Sequence, residues 1–264
     1  MLQVIEIIDL LDQGVTEPIK CKLSDNSMAI VKYPNNARGT AVIVNEFIGF
    51  SLARKIGITV PDFGICELSL DAINAINDLE EIDERNAGKC FYTVELNNTV
   101  PTIIRGSVKN RETEKIILLD HILNNFDRHD GNILMSIATG LLYIIDFSHI
   151  FSKGPYPNYD SDYVHRGKND NLYLYDTILK ENRDVYENLS LWCGYDDRRM
   201  MIEAENIQNI LDRQFIKEVL DSIPQSWSDA IGGKDILRTI EEFINFRVSH
   251  INEICSYIIA ENRR

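Results

Sequence analysis

In the stretch NNFDRHDGNILMSIATGLLYIIDFSHIF, residues 124–151, polar side chains stand at fixed offsets around apolar runs. Asp127 and Asn132 are five positions apart, Gly131 just before the asparagine favours a tight reversal, and Asp146 closes the run LLYII. A carboxylate and an amide on one loop, followed by a carboxylate at the end of a buried strand, offer oxygens to a hard divalent cation and to a hydroxyl. Far upstream, Lys32 ends the run MAIV, and Glu46 sits among apolar neighbours in VIVNEFIGF. A carboxylate on an apolar stripe is costly to bury unless it is paired, and a lysine on a neighbouring strand is its natural partner. Together these residues supply what phosphoryl transfer from a metal–nucleotide complex requires. They provide a fixed cation for the phosphates, oxygens for Mg²⁺ and a carboxylate beside the attacking hydroxyl. Each signal is weak alone, since D-x-x-x-x-N is common by chance, Lys32 fits a solvent-facing strand edge and Asp146 fits a turn. The joint set carries the reading.

Their neighbours have open roles. His129 would relay a proton or touch the γ-phosphate, or else be a hydrogen-bonded structural histidine. Arg128 would brace the loop by pairing with a carboxylate or with backbone carbonyls, and His149 would support the Asp146 loop. The turn before Lys32, LDQGVTEPIK, has a single glycine. The N–H groups of Gly14, Val15 and Thr16 could cradle phosphate oxygens, or the turn could be an ordinary hairpin connection.

The elements that must hold these groups follow from hydrophobic periodicity. IKCKL at 19–23 and MAIVKY at 28–33, separated by SDNS, read as a hairpin. Residues 39–56 have helical spacing, with Gly57 at the C-terminal cap. ITVPDFGICELS suggests short strands, 70–89 a short helix with a loop, and CFYTVEL at 90–96 a strand. Helical spacing returns over 111–126, the strands NILM and LLYIIDF follow, and 151–171 has loop composition. Beyond about 172 helices dominate, with a long one expected near 234–262. The order predicts an α+β, two-lobed chain. Residues 1–98 form a small strand-rich lobe with one helix and 99–264 a larger helical lobe, with the ligand cleft between them.

Composition limits the rest. The chain has 264 residues and a formal charge of −14, with no Lys/Arg cluster beyond short pairs, which disfavours a nucleic-acid or anionic-membrane partner. Apolar runs are too short to span a bilayer and the acidic N-terminus is unlike a secretory signal, so a cytoplasmic protein is expected. Five scattered cysteines without CxxC or metal-ligand spacing read as reduced structural thiols.

The runs VTEPIKCKLSDNSMAIVKYP, VNEFIGFSLARKIGITVPDFGIC, NNFDRHDGNIL and YIIDFSH together resemble the HipA-like kinases, in the short form lacking an extra N-terminal subdomain. DRHxxNIL…IDFxH is also similar to the catalytic core of phosphoinositide kinases. The resemblance spans roughly residues 10–150 and implies a two-lobed serine/threonine protein kinase using ATP and Mg²⁺. It implies Lys32 on the α/β-phosphates held by Glu46, Asp127 as catalytic base, and Asn132 and Asp146 as magnesium ligands. It also implies that the backbone of Glu95, Leu96 and Asn97 meets the adenine. The chain has Gly14-Val15-Thr16-Glu17 where the family often has a Gly-Gly-Thr-Ser-like turn, and Ser148 rather than glycine after Asp-Phe. Family behaviour further implies an unidentified protein substrate, an antitoxin-like regulator and autophosphorylation at Thr16. A small-molecule or lipid-headgroup kinase of the same fold, or a nucleotide-binding pseudokinase acting through a partner, are the alternatives.

Overall fold

Alternation builds the first half. In the computed structural model, which describes residues 1–11, 16–75, 82, 84–104, 106–151 and 178–262, the expected hairpin is β2 (Ile19–Leu23) and β3 (Met28–Lys32), paired antiparallel. Its turn is set by Asp25, whose Oδ1 accepts from the Ser27 N–H, and by Asn26 at φ 68°, a left-handed conformation that asparagine tolerates. The hairpin belongs to a closed barrel in the order β1-β2-β3-β5-β4, with β1 spanning Leu2–Leu10, β4 Phe63–Leu68 and β5 Gly88–Val94. Ile19, Cys21, Leu23, Ala29 and Val31 fill its interior with Cys66 and Cys90. Each aliphatic side chain so buried contributes about 1.5–3 kcal/mol. Because side chains alternate across a strand, Ala29 and Val31 facing inward put Ile30 and Lys32 on the outer face.

Against that face lies α1 (Ala41–Lys55). Gly57 adopts φ 77° just beyond its end, as a left-handed cap requires. The helix is buried on nearly every side rather than on one stripe, because it is packed between β5 and the helical half of the chain. It belongs to the larger of two hydrophobic cores, shared with α3 (Thr113–Leu123), while the barrel interior forms the smaller. A single helical turn, α2 (Leu70–Asn74), is capped by Ser69, whose Oγ accepts from the Ala72 N–H.

The second half begins with α3 and a three-stranded sheet of β6 (Thr99–Val100), β7 (Ile133–Ser136) and β8 (Leu142–Ile144). The expected strand LLYIIDF keeps only its first part, because the chain leaves the ladder at Ile145 and Asp146 turns to φ 61°. Among the described residues seven helices follow: α4 (Ile178–Glu181), α5 (Arg183–Cys193), α6 (Asp197–Ile210), α7 (Arg213–Asp221), α8 (Gln225–Ala230), α9 (Lys234–Ser249) and α10 (Ile251–Asn262). The single long helix expected over 234–262 is two. They meet at His250, where Ser249 Oγ, the His250 ring and the His250 N–H all converge on the Phe246 carbonyl. Trp227 on α8 ties this half to the barrel by donating to the Lys89 carbonyl at 2.8 Å. All five cysteines are buried thiols. No helix among the described residues is long and apolar enough to cross a membrane. Most of the loop expected at 151–171 lies outside the described residues.

Candidate functional site

A cleft of about 180 Å³ runs between the barrel and the β7–β8 sheet. Its walls are Ile30, Phe91, Leu134 and Ile145, and its inner end holds Lys32, Glu46 and Asp146. A larger hollow of about 1010 Å³ beside Lys180, Arg183 and Tyr257 contains none of the residues singled out in the sequence, so the chemistry belongs to the smaller space.

Lys32 arrives from β3, Glu46 from α1 and Asp146 from the segment after β8. The Lys32 Nζ donates to Glu46 Oε1 and lies 3.4 Å from Asp146 Oδ2. The second Glu46 oxygen accepts the Phe147 N–H at 2.9 Å. One ammonium therefore serves two carboxylates in a site where Glu46 is 1 % exposed. Burial opposes charge on Lys32, but Asp146 and Glu46 outweigh it and hold the ammonium protonated well above its ordinary range. For Glu46 burial dominates: despite the Lys32 charge, and with Asp146 adding repulsion, its carboxyl is pushed up to about 7. Burial also works against ionised Asp146, yet Lys32, the Ser148 hydroxyl and the Ser148 N–H hold it well below the usual carboxylate range. Asp146 is thus ionised and balances Lys32, and the triad gains one excess negative charge once Glu46 ionises as well.

The backbone at Asp146 is clamped from α1. Asn45 Nδ2 donates to the carbonyls of Ser148 at 2.8 Å and Ile150 at 3.1 Å. Gly49 lets Phe147 lie directly on the helix, since a Cβ at this position would overlap the Phe147 side chain. Asp146 Oδ1 accepts from the Ser148 N–H at 2.9 Å and the Ser148 hydroxyl at 2.5 Å, so Oδ2 is the oxygen turned towards Lys32.

The other wall is the loop after α3, which begins at Asn124 in a left-handed cap, φ 53°. Asn132 is buried, and its Nδ2 donates to the Asp127 carbonyl at 2.8 Å, which closes the five-residue spacing into one turn. Asn132 also offers its own carbonyl to the Ile145 N–H at 3.0 Å, one residue from Asp146. Asp127 is 44 % exposed, open to an incoming group, and its Oδ2 lies 3.7 Å from His149 Nε2. Arg128 is fully buried. It grips Asp120 of α3 through Nε and Nη2 and donates Nη1 to the carbonyls of Ile145 at 2.7 Å and Asp146 at 3.3 Å. It therefore pairs with a carboxylate and with backbone carbonyls at once, and fixes the Asp127 loop to the Asp146 segment.

His129 lies differently from the catalytic expectation. It is exposed, and its Nδ1 accepts the Gly131 N–H at 3.1 Å, capping the short turn Asp130–Asn132. The histidine that reaches Asp127 is His149, because the 129–131 turn directs the His129 ring into its own loop. Of the proposed phosphate turn, Gly14 and Val15 lie outside the described residues. Thr16 is buried, 8 % exposed, and Glu17 beside it has φ 45°. Glu95 and Leu96 line the cleft, and Asn97 follows them. The Glu95 N–H is taken by the Met28 carbonyl at 2.8 Å and its carboxylate by Lys20 at 2.7 Å. The Leu96 and Asn97 amides carry no hydrogen bond among the described residues.

Several functional side chains escaped the sequence reading. Asn45 carries the same signal as Glu46, a polar group on an apolar stripe, as does Asp120 in the run IILLDHIL. Gly49 carries none. The donor set fits a nucleotide and a hard divalent ion: an ionised carboxylate, a neighbouring amide, a fixed ammonium and an apolar slot with free backbone amides. A magnesium ion of this kind takes its remaining ligands from phosphates and water.

No curated protein gives a significant match. Among solved structures, the chain is similar to the Helicobacter pylori proinflammatory kinase CtkA, with a TM-score of 0.55 at 11% identity over 98% of each chain. It is also similar to the Golgi casein kinase, with a TM-score of 0.54 at 13% identity over 98% of this chain and 73% of that one. The same Golgi enzyme with Mn/ADP bound gives a TM-score of 0.51. At such identities the likeness speaks for the fold, an α+β kinase architecture. The model describing HipA-like kinases matches residues 4–253, and the chain belongs to that family.

Proposed function

We propose that this kinase transfers the γ-phosphoryl group of ATP to a serine or threonine hydroxyl of a protein. The observation that carries the reading is the convergence of Lys32 and Asp146, 114 residues apart, on one ion pair at the end of an apolar slot. The Golgi casein kinase, a protein kinase by name with an Mn/ADP form, supports both the protein substrate and the metal nucleotide.

In this reading Lys32, kept charged and anchored by Glu46, binds phosphate oxygens. Leu96 and Asn97 present N–H groups to the adenine. Asn132 and Asp146 would hold Mg²⁺, which would offset the charge that builds on the phosphate oxygens. Asp127 orients the acceptor hydroxyl and takes its proton. As the new oxygen–phosphorus bond forms, the bond from phosphorus to the β,γ-bridging oxygen breaks and ADP departs. With Glu46 ionised the Lys32–Glu46–Asp146 triad carries one excess negative charge, which favours entry of a divalent cation, since opposite charge at short range lowers its energy.

Incubation with γ-labelled ATP and a generic acceptor such as myelin basic protein tests this. Label should pass to the acceptor with the parent chain and fall by about 10²–10⁴-fold with Asp127→Asn, the span expected for removal of a positioned base. Label passing instead to a lipid headgroup or small alcohol would keep the kinase and overturn the protein substrate. Nucleotide binding without any transfer would overturn the reaction itself.

A further inference from the structure

We propose that Asn182, at the junction of α4 and α5, is a positioning residue for Asp127, and that docking of this helix pair sets the catalytic loop. The inference rests on the phosphotransfer reading above. Asn182 is 1 % exposed, and its side-chain amide reaches the loop at two points. Its Oδ1 accepts the Arg128 N–H at 3.0 Å. Its Nδ2 donates to the Asn125 carbonyl at 2.8 Å and to Tyr186 Oη at 3.0 Å. The two backbone groups it holds thus flank Asp127 on either side.

The same residues close a second circuit. Asp120 accepts from Asn125 Nδ2 at 2.8 Å, from Tyr186 Oη at 3.1 Å and from Arg128. Arg128 in turn holds the Ile145 and Asp146 carbonyls. Helix α3, the Asp127 loop, the Asp146 segment and the α4–α5 junction therefore share one buried polar network. In such a network a missing member leaves partners desolvated and unpaired, and the loop relaxes to satisfy them. Asn182 lies 36 positions beyond Asp146 in the chain, outside both motifs, and the network couples it to both. A shift of α4–α5 is thereby transmitted to the backbone on both sides of the residue that meets the substrate hydroxyl.

The test compares Asn182→Ala, Asn182→Asp and Tyr186→Phe with the parent. MgATP turnover is read as ADP release, MgADP affinity by calorimetry, and local exchange by hydrogen–deuterium mass spectrometry. Asn182→Ala should lower turnover by about tenfold to a hundredfold, the equivalent of one or two buried groups left unpaired, with MgADP affinity nearly unchanged. Peptides covering 124–132 should exchange faster while those of the barrel do not. In Asn182→Asp the carboxylate retains the acceptor for Arg128 and, once protonated, regains a donor. Its rate relative to Asn182→Ala should therefore rise as pH falls, which a purely structural role would not produce. Tyr186→Phe removes one hydroxyl and should give a smaller loss in the same direction, which decides the matter if Asn182→Ala does not fold. Parent-like turnover in the variants, or unchanged exchange over 124–132, would overturn the inference. A parent chain that releases no ADP would instead overturn the phosphotransfer reading, and the exchange data would still judge Asn182.

Discussion

Gly49 on α1 touches Phe147 so closely that the helix has no room for any side chain there. Phe147 is the residue after Asp146, and its N–H is held by Glu46 one helical turn before Gly49. The contact therefore sets how near the Asp146 carboxylate approaches Lys32. Gly49→Ala forces a methyl group into Phe147, a fully buried ring. Overpacking of this kind costs about 1–3 kcal/mol. The expected outcome is a lower melting temperature, read by calorimetry, together with a turnover loss larger than stability alone explains, because the displaced Phe147 carries Asp146 with it. Unaltered turnover in a destabilised protein would show that the packing matters only to folding.

Lys32→Met leaves Glu46 buried without its ammonium. Removal of one partner from a buried pair costs about 3–5 kcal/mol when the remaining charge cannot neutralise. Glu46 can, since its carboxyl already lies up near 7 and loses the stabilising Lys32 charge in the variant. The loss of stability should therefore be small at pH 6 and grow as pH rises. Adding Glu46→Gln should recover much of it at high pH without restoring turnover. Denaturant melts of the single and double variants at both ends of that range check the expectation.

The pH dependence of the parent follows from the same carboxyl. Glu46 has a folded-state value raised to about 7 from an ordinary 4.5, so between these the folded protein binds the proton that the unfolded chain releases. This residue's contribution is stabilising at low pH and is lost as pH rises from about 4.5 through 7. Activity runs the other way, because only ionised Glu46 fixes Lys32. Turnover per free enzyme, kcat/KM, should rise through an acid limb near 7. A divalent cation beside Asp146 removes part of the repulsion that raises Glu46, so the limb in kcat should lie at lower pH. Glu46→Gln should flatten the limb while lowering the rate.

The legible parts of this fold were those governed by regular alternation. β2 and β3 follow their alternation, Lys32 stands at its outward end, and Glu46 stood out as a carboxylate among apolar neighbours on α1. β1 gave no clean strand pattern because its pairing with β2 shifts register twice, expelling Ile5 and Ile8 to solvent and breaking the period of two. The break at His250 was hidden because the apolar stripe continues across it, with Val248, Ile251 and Cys255 all buried. In the site, the Asp127–Asn132 spacing was readable because a short loop closes it locally. The partners of that loop were not, since Asn182 is distant in sequence and ordinary in type, and which histidine faces Asp127 depends on the direction of a single turn.

Asp127 and Asp146 should separate cleanly by the step each supports. Asp127→Asn alters a half-exposed side chain that, among the described residues, holds no other element in place beyond His149, so MgADP affinity should stay near the parent value while turnover collapses. Asp146→Asn keeps a side chain that tolerates the left-handed backbone at φ 61° and can still accept from Ser148, so folding should survive. It removes the ionised oxygen beside Lys32, however, and the advantage of MgADP over ADP in excess chelator should shrink. A loss of one charge-assisted contact corresponds to about 1.5–3 kcal/mol, or roughly ten- to a hundredfold in affinity. Calorimetric titrations with and without magnesium measure it directly. An Asp146→Asn variant that still prefers the magnesium complex as strongly as the parent would assign the ion to other oxygens and leave Asp146 as a partner of Lys32 alone.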